Sequence, residues 1–177
     1  MHCCCAPCSV SCISSLITEG LKPNLFWFNP NIHPYSEYKQ RYDCFVSFVE
    51  KENLDVTSLN VYDLGLFIKE VYTETENRCE RCYRLRLEKT ASAAVNAGLN
   101  AFSTTLLISP YQDHKKIKHI GEETAKKYCL EFLYRDFRPL FRSGQSAARE
   151  NKMYMQKYCG CIFSEEERYK KTGSFDL

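Results

Sequence analysis

Residues 3–8 contain four cysteines, three of them adjacent, and this cluster is the stretch best suited to chemistry. Cysteine occurs in protein cores as a small hydrophobe, but core packing does not require it at adjacent positions. Thiolates this close together indicate a soft metal or a redox reaction. Two later pairs, Cys79 with Cys82 and Cys159 with Cys161, are candidates for the other parts of one site.

The spacing of Cys79 and Cys82 is used by zinc sites, iron–sulfur clusters and thioredoxin-like redox pairs alike. With Cys4 and Cys5 the pair gives four thiolates, the number that a structural zinc ion, a 2Fe–2S cluster or a 4Fe–4S cluster needs. Zinc ribbons combine two pairs of separated cysteines, so adjacent Cys4 and Cys5 favour an iron–sulfur cluster. Zinc and unmetallated thiols remain open as alternatives.

Cys159 and Cys161 are too close in sequence to supply two ligands comfortably to one tetrahedral centre. A disulfide between them would close a small, strained ring, and strained disulfides tend to be labile and redox-active. Gly160 gives the backbone the freedom that such a ring needs. The alternative is a C-terminal cap with two incidental thiols.

The other cysteines carry a weaker signal. Cys8 fits either a helix face or an additional ligand position. The rest have no partner at ligand spacing, and we interpret them as structural: Cys3, Cys12, Cys44 and Cys129.

Length and composition indicate a single globular domain over residues 1–177. The chain has 44% hydrophobic and 26% charged residues, which is typical of such domains. No apolar run approaches the roughly 20 residues of a membrane span, and the N-terminus does not have the pattern of a secretory signal. We therefore expect a cytoplasmic location, where the 11 cysteines favour metal or redox chemistry over a disulfide scaffold.

The net charge of +2 conceals an asymmetry along the chain. Residues 1–77 have 5 Lys and Arg against 10 Asp and Glu, whereas residues 78–160 have 16 against 8. A basic half suggests a polyanionic partner such as RNA, although a solvated surface explains the charges equally well. The candidate RNA contacts include the arginines around the Cys79 pair: Arg78, Arg81, Arg84 and Arg86.

Apolar runs and helical spacing alternate along the chain. The predicted strands are 24–28, 54–56, 102–108 and 130–134. The predicted helices begin near Pro7, Tyr38, residue 60, Cys82, Ile117 and Ser143, the last capped by Ser143 and running towards Tyr158. This alternation predicts an α/β fold, a Rossmann-like parallel sheet flanked by helices as in adenine nucleotide α-hydrolases. Ligands bind such sheets at their carboxyl edge, where we expect the metal site.

Seven short motifs then form a specific combination that spans nearly the whole chain: HCCCAPC at 2–8, NPNIHP at 29–34, RCERCY at 78–83, TTL at 104–106, SPYQ at 109–112, DFR at 136–138 and QKYCGC at 156–161. In this order they resemble the QueH-type epoxyqueuosine reductases. The resemblance implies reduction of epoxyqueuosine to queuosine at the wobble position of tRNA, the last step of queuosine biosynthesis.

The resemblance also implies site residues and partners. A 4Fe–4S cluster is expected at Cys4, Cys5, Cys79 and Cys82. A redox-active disulfide is expected between Cys159 and Cys161, which would be the catalytic pair. A further iron beside the cluster fits the family, with Cys8 as a candidate neighbour, and no cobalamin is implied. The expected partners are tRNA carrying epoxyqueuosine and an unidentified electron donor, with no membrane.

Two other functions remain as alternatives. A zinc-stabilised RNA-binding module without catalysis would use the same thiols, and metal content would distinguish it from an iron–sulfur enzyme. An ATP-using tRNA-thiolating enzyme shares the predicted layout, but the sequence has no glycine-rich pyrophosphate loop.

Overall fold

The computed structural model describes residues 1–72 and 75–170. Helices dominate this part of the chain: α1 (Ala6–Thr18), α2 (Tyr35–Lys51), α3 (Leu64–Tyr72), α4 (Arg78–Asn96), α5 (His114–Tyr128), α6 (Phe141–Glu150) and α7 (Ile162–Lys170). The strands are short: β1 (Leu25–Trp27), β2 (Val56–Ser58), β3 (Ala101–Phe102) and β4 (Glu131–Phe132). No helix among the described residues has the length and apolar character needed to cross a membrane.

The strands form two parallel pairs, β1 with β2 and β3 with β4. His2 joins the pairs, because it forms one parallel bridge to Phe26 and another to Thr104. Its backbone N–H donates to the Ser103 carbonyl at 2.9 Å, and the Cys3 N–H donates to the Phe26 carbonyl at 2.9 Å. The hydrogen-bonded order is therefore β2, β1, His2, β3, β4. This confirms an α/β architecture with parallel strands.

The predicted strand over 102–108 is wrong beyond its first residue. β3 ends at Phe102, and Thr105–Ile108 form a 3₁₀ turn instead. The Thr104 hydroxyl oxygen accepts a hydrogen bond from the Leu106 N–H at 3.2 Å, which caps this turn. A side chain that satisfies a local N–H competes with the sheet ladder, so apolar residues alone do not make a strand here.

The prediction of a last helix capped by Ser143 is also wrong. Ser143 lies inside α6, and its hydroxyl donates to the Leu140 carbonyl at 3.0 Å. The helix ends at Glu150, and Lys152 adopts a left-handed backbone with φ of 52°. The chain then runs without regular structure to the Cys159 region, and a separate helix, α7, follows it.

Two hydrophobic clusters support the sheet. The cluster associated with β3 and β4 contains fully buried residues from α4 and α5, such as Leu87 and Ile117. The cluster around β1 centres on Trp27, whose ring lies 4.9 Å from that of Phe45. Burial of each such side chain contributes about 1.5–3 kcal/mol, so these clusters fix the segments that carry the cysteines.

Candidate metal and redox site

Cys4, Cys5 and Cys8 converge where the chain leaves the sheet and enters α1. Cys5 is the N-cap residue of α1, and Cys8 follows one helical turn later on the same side. The three sulfurs lie within 4.8 Å of one another, and those of Cys4 and Cys5 are 3.8 Å apart. Sulfur ligands at about 2.3 Å from one tetrahedral ion also lie about 3.8 Å from each other. The three thiols are therefore spaced to bind a metal.

Their close contact shifts the pKa values of these thiols in opposite directions. Hydrogen bonds from Cys5 and Cys8 hold the pKa of Cys4 well below its usual range. Burial raises the pKa of Cys5, and the hydrogen bond to Cys4 raises that of Cys8. Ionisation of all three thiols needs a compensating cation, which a metal ion would provide.

Two polar side chains add hydrogen bonds to this sulfur group. The Thr105 hydroxyl donates to the Cys4 sulfur at 3.2 Å. The Gln156 amide N–H group contacts the Cys5 sulfur at 2.9 Å and the Cys8 sulfur at 3.6 Å. The Gln156 amide oxygen is buried and has no partner among the described residues. Hydrogen bonds to sulfur ligands tune the reduction potential of metal centres, so Gln156 is suited to that role.

Cys79 and Cys82 lie in the first turn of α4, three residues apart. Cys79 is exposed, whereas Cys82 belongs to a separate buried cluster that also contains Phe67 and Cys161. Burial raises the pKa of Cys82 to about 12, and the nearby Arg86 partly opposes this shift. Cys82 is therefore a neutral thiol at pH 7 until a metal or another cation replaces its proton.

The predicted cluster ligands thus lie in two sets. Cys4 and Cys5 join Cys8, which the sequence left ambiguous. Within residues 1–72 and 75–170, no group of three potential ligands closer than 4.8 Å includes Cys79 or Cys82. The four-thiolate ligand set remains a prediction.

Arg86 connects the two sets of thiols electrostatically. Its side chain is 1% exposed, and it donates to the Cys82 carbonyl at 3.4 Å and to the Asn29 amide oxygen at 3.5 Å. Its Nη2 group is buried and has no hydrogen-bond partner in the described part of the chain. Thiolates at Cys82, Cys159 and Cys4 would each be stabilised by this buried guanidinium. A buried cation with a spare donor fits an anionic group, such as a cluster with four thiolate ligands.

The burial of Arg86 corrects its grouping with surface arginines that contact RNA. Sequence spacing does give a signal: Arg86 lies beside Leu87 on α4 and is four residues from Cys82 and from Thr90, all of which are buried. A charged residue on the buried face of a helix generally has a partner. The charge of Arg86 alone therefore gave the wrong placement, whereas its helical register indicates burial.

Cys159 and Cys161 occupy different environments. Both are thiols in the structure, as are the other nine cysteines. Cys159 is exposed, and its sulfur lies 3.6 Å from the amide nitrogen of Gln112. Cys161 is buried, with its sulfur 3.3 Å from the Ser164 hydroxyl. The disulfide between them remains a prediction.

Arg41, which the sequence analysis did not single out, holds the backbone of this cysteine pair. It pairs with Glu37 at 2.6 Å and donates to the carbonyls of Tyr158 and Cys159, both at 3.0 Å. Gly160 has φ of 127°, and a Cβ there would lie 3.0 Å from Nη1 of Arg41. The four-residue spacing of Glu37 and Arg41 predicts an ion pair along the helix. It does not predict the hydrogen bonds from Arg41 to the distant carbonyls of Tyr158 and Cys159.

The chain is similar to known proteins over nearly its whole length. Residues 1–167 match the family model described as epoxyqueuosine reductase QueH. A protein of that name from Dehalococcoides mccartyi is 31% identical over 174 residues, covering 98% of this chain and 96% of the relative. Another from Thermotoga maritima is 34% identical over 188 residues, covering 97% and 92% respectively. A third, from Acinetobacter baylyi, is 32% identical, covering 93% and 78%. The chain therefore belongs to the epoxyqueuosine reductase QueH family.

Proposed function

We propose that this chain is an oxidoreductase that converts epoxyqueuosine in tRNA to queuosine, the last step of queuosine biosynthesis. The relatives that match almost end to end carry the name epoxyqueuosine reductase. The observation within the structure that carries the proposal is the convergence of Cys4, Cys5 and Cys8 to metal-ligand distances. A noncatalytic scaffold does not need three thiols at metal-ligand spacing.

The proposed reaction removes the epoxide oxygen to leave an alkene. It consumes two electrons and two protons and releases water. Oxidation of the thiols of Cys159 and Cys161 to a disulfide releases two electrons and two protons, so the two half-reactions balance. An unidentified electron donor returns the disulfide to the dithiol, and the exposure of Cys159 supports access for it.

The ligand set proposed for a 4Fe–4S cluster is Cys4, Cys5, Cys79 and Cys82. Such a cluster transfers electrons singly, and a further iron beside Cys8 would act as a Lewis acid on the epoxide oxygen. The protein has residues suited to these groups. Arg86 would offset the negative charge of the thiolates, and Gln156 would orient Cys5 of the cluster and Cys8 beside it. No cobalamin is needed for this scheme.

The strand order supports the Rossmann-like fold proposed for a single domain over residues 1–177. A central strand position at His2, with parallel neighbours on both sides, is the arrangement of an open doubly wound sheet. In such a sheet the carboxyl edge is the ligand edge, and Cys4 and Cys5 follow His2 after one intervening residue, Cys3. Cytoplasmic tRNA is the proposed substrate, which agrees with the basic charge of residues 78–160.

Metal analysis of protein purified without oxygen tests the proposal. We expect about four irons and four sulfides per chain with a brown visible spectrum, besides any further iron. Cys79→Ala should abolish both the cluster and the reduction of epoxyqueuosine tRNA. Cys129→Ala is the matched control, because Cys129 is an exposed thiol outside the predicted ligands. Stoichiometric zinc without sulfide, together with no reductase activity, would overturn the proposal in favour of a zinc-stabilised RNA-binding module.

A further inference from the structure

We infer that Tyr111 is a stacking platform for a nucleobase of the single-stranded anticodon loop of the tRNA substrate. This inference rests on the proposed function and names a contact that brings the substrate to the thiols. Tyr111 is 84% exposed, the largest fraction among the exposed large hydrophobic residues of the described chain. An aromatic ring left this open in a folded loop is available for a partner.

The loop that carries Tyr111 is tied down on both sides of the ring. The Tyr111 N–H donates to the Ser109 hydroxyl at 3.3 Å. The Tyr83 hydroxyl donates to the Gln112 amide oxygen at 2.7 Å and accepts from the Asp113 N–H at 3.3 Å. These bonds reduce the conformational entropy that the loop would lose on binding, so the exposed ring is preorganised for a ligand.

The position of Tyr111 relates it to both halves of the candidate site. Its neighbour Gln112 contacts the sulfur of Cys159 at 3.6 Å. Its ring meets that of Phe141 edge to face, with centroids 6.0 Å apart and an angle of 83° between the planes. Phe141 in turn lines a cleft that also contains Cys8 and Gln156. A base stacked on Tyr111 would therefore lie beside the dithiol and at the rim of the cleft that leads to the metal-binding thiols.

Positive charge flanks this cleft in the sequence. Phe141 and Gln156 line the cleft, and each is followed in the chain by a cation, Arg142 and Lys157 respectively. Both cations are exposed, and neither has an ion pair or side-chain hydrogen bond among the described residues. Single-stranded RNA is bound by exposed cations that contact its phosphates together with aromatic rings that stack on its bases. A purely apolar protein partner would leave these charges desolvated without compensation.

Binding of a short RNA hairpin with an epoxyqueuosine-containing anticodon loop tests the inference. Loss of one base–aromatic stack costs about 1–3 kcal/mol, so Tyr111→Ala should raise Kd by about 5- to 150-fold. Tyr111→Phe and Tyr111→Trp keep a stacking surface and should bind within about twofold of the wild type. Tyr72→Ala is the matched control, because Tyr72 is also a highly exposed tyrosine, at 71%, at the end of α3.

Steady-state kinetics provide a second readout. Tyr111→Ala should raise KM for the hairpin while kcat stays within about twofold, because the ring binds the RNA without joining the chemistry. The urea unfolding midpoint and iron content of each variant should match those of the wild type, since Tyr111 supports no core. Tyr111→Ala with wild-type Kd and KM, or Tyr111→Phe as weak as Tyr111→Ala, would overturn the stacking role. If only the stacking role is wrong, the wild-type protein still reduces epoxyqueuosine in the hairpin. If the wild-type protein shows no turnover, the proposed function itself is refuted.

Discussion

Replacement of Arg41 by methionine should destabilise the protein and release the backbone of the predicted redox pair. Arg41 is 3% exposed, so its charge depends on partners inside the protein. Those partners are the Glu37 carboxylate at 2.6 Å and the carbonyls of Tyr158 and Cys159 at 3.0 Å. Methionine fills a similar volume with no charge and no donor. The variant therefore removes three polar contacts while keeping most of the packing.

The loss of stability in Arg41→Met depends mainly on the Glu37 charge, which the substitution leaves buried without its cation. The Glu37 side chain is only 10% exposed, and without Arg41 its remaining partner within residues 1–72 and 75–170 is the Tyr154 hydroxyl. Removing one member of a buried ion pair costs about 3–5 kcal/mol. The two lost bonds to carbonyls place the expected effect near the upper end, at about 5 kcal/mol. Small domains have about 5–15 kcal/mol of total stability, so the variant should fold marginally at 25 °C.

Urea unfolding monitored by circular dichroism measures this loss. The matched control is Lys39→Met, which breaks an exposed ion pair with Asp43 of the same 2.6 Å length on the same helix. An exposed pair contributes about 0–1 kcal/mol, so the control should be nearly neutral. The double variant Arg41→Met/Glu37→Gln removes the stranded charge and keeps an acceptor for Tyr154. It should recover about 2 kcal/mol relative to Arg41→Met, because an unsatisfied buried group costs about 1–3 kcal/mol.

Two results would refute this reasoning. One is a loss in Arg41→Met no larger than in Lys39→Met, which would mean that the buried pair contributes no more than a surface pair. The other is a double variant at least as unstable as the single one, since the stranded Glu37 charge would then not be the cause. Alkylation of Cys159 by iodoacetamide gives an independent readout, because loss of the Arg41 bonds should increase its rate.

Two further predictions concern His2 and Gly160. Burial lowers the pKa of His2 to about 3, whereas in the unfolded chain it is about 6.5. Between these two pH values the unfolded state binds more protons than the folded state. The free energy of unfolding must therefore fall as the pH falls from about 6.5 to about 3. His2 should account for about 2 kcal/mol of the loss between pH 7 and pH 5, measured by urea unfolding at each pH; a His2→Gln variant with an unchanged pH slope would contradict this. Gly160→Ala should cost about 1–3 kcal/mol or more, because φ is 127° and the new Cβ meets Arg41. Gly98→Ala, with φ of 66° and nothing within 4 Å, should cost less in the same assay, and equal losses would show that the Arg41 contact is irrelevant.

The sequence by itself determined the local features of this protein. The apolar spacing of α4 and α5 and the buried run at β1 predicted those elements, because helix and strand periodicity depend on neighbouring residues. The clustered cysteines at 3–8 predicted a metal or redox site, since their chemistry does not depend on the fold. The combination of short motifs identified the family, which the match over residues 1–167 confirms.

Contacts between distant segments were decided only by the tertiary structure. His2 acts as the central strand position through single bridges to Phe26 and Thr104. The sequence around His2 has no apolar run long enough to predict a strand there. Gln156 reaches the sulfur of Cys5 across 151 positions of sequence. Nothing in the local sequence of either residue encodes that contact.

The burial of charge was likewise decided by packing. Arg86 and Arg41 have the same side-chain chemistry as the surface arginines of this chain, and sequence charge alone placed Arg86 with the RNA contacts. Packing of α4 and α2 against the cysteine segments puts both guanidiniums inside, at 1% and 3% exposure. A buried charge is stable only when distant acceptors or anions surround it, and those partners are assembled by the fold.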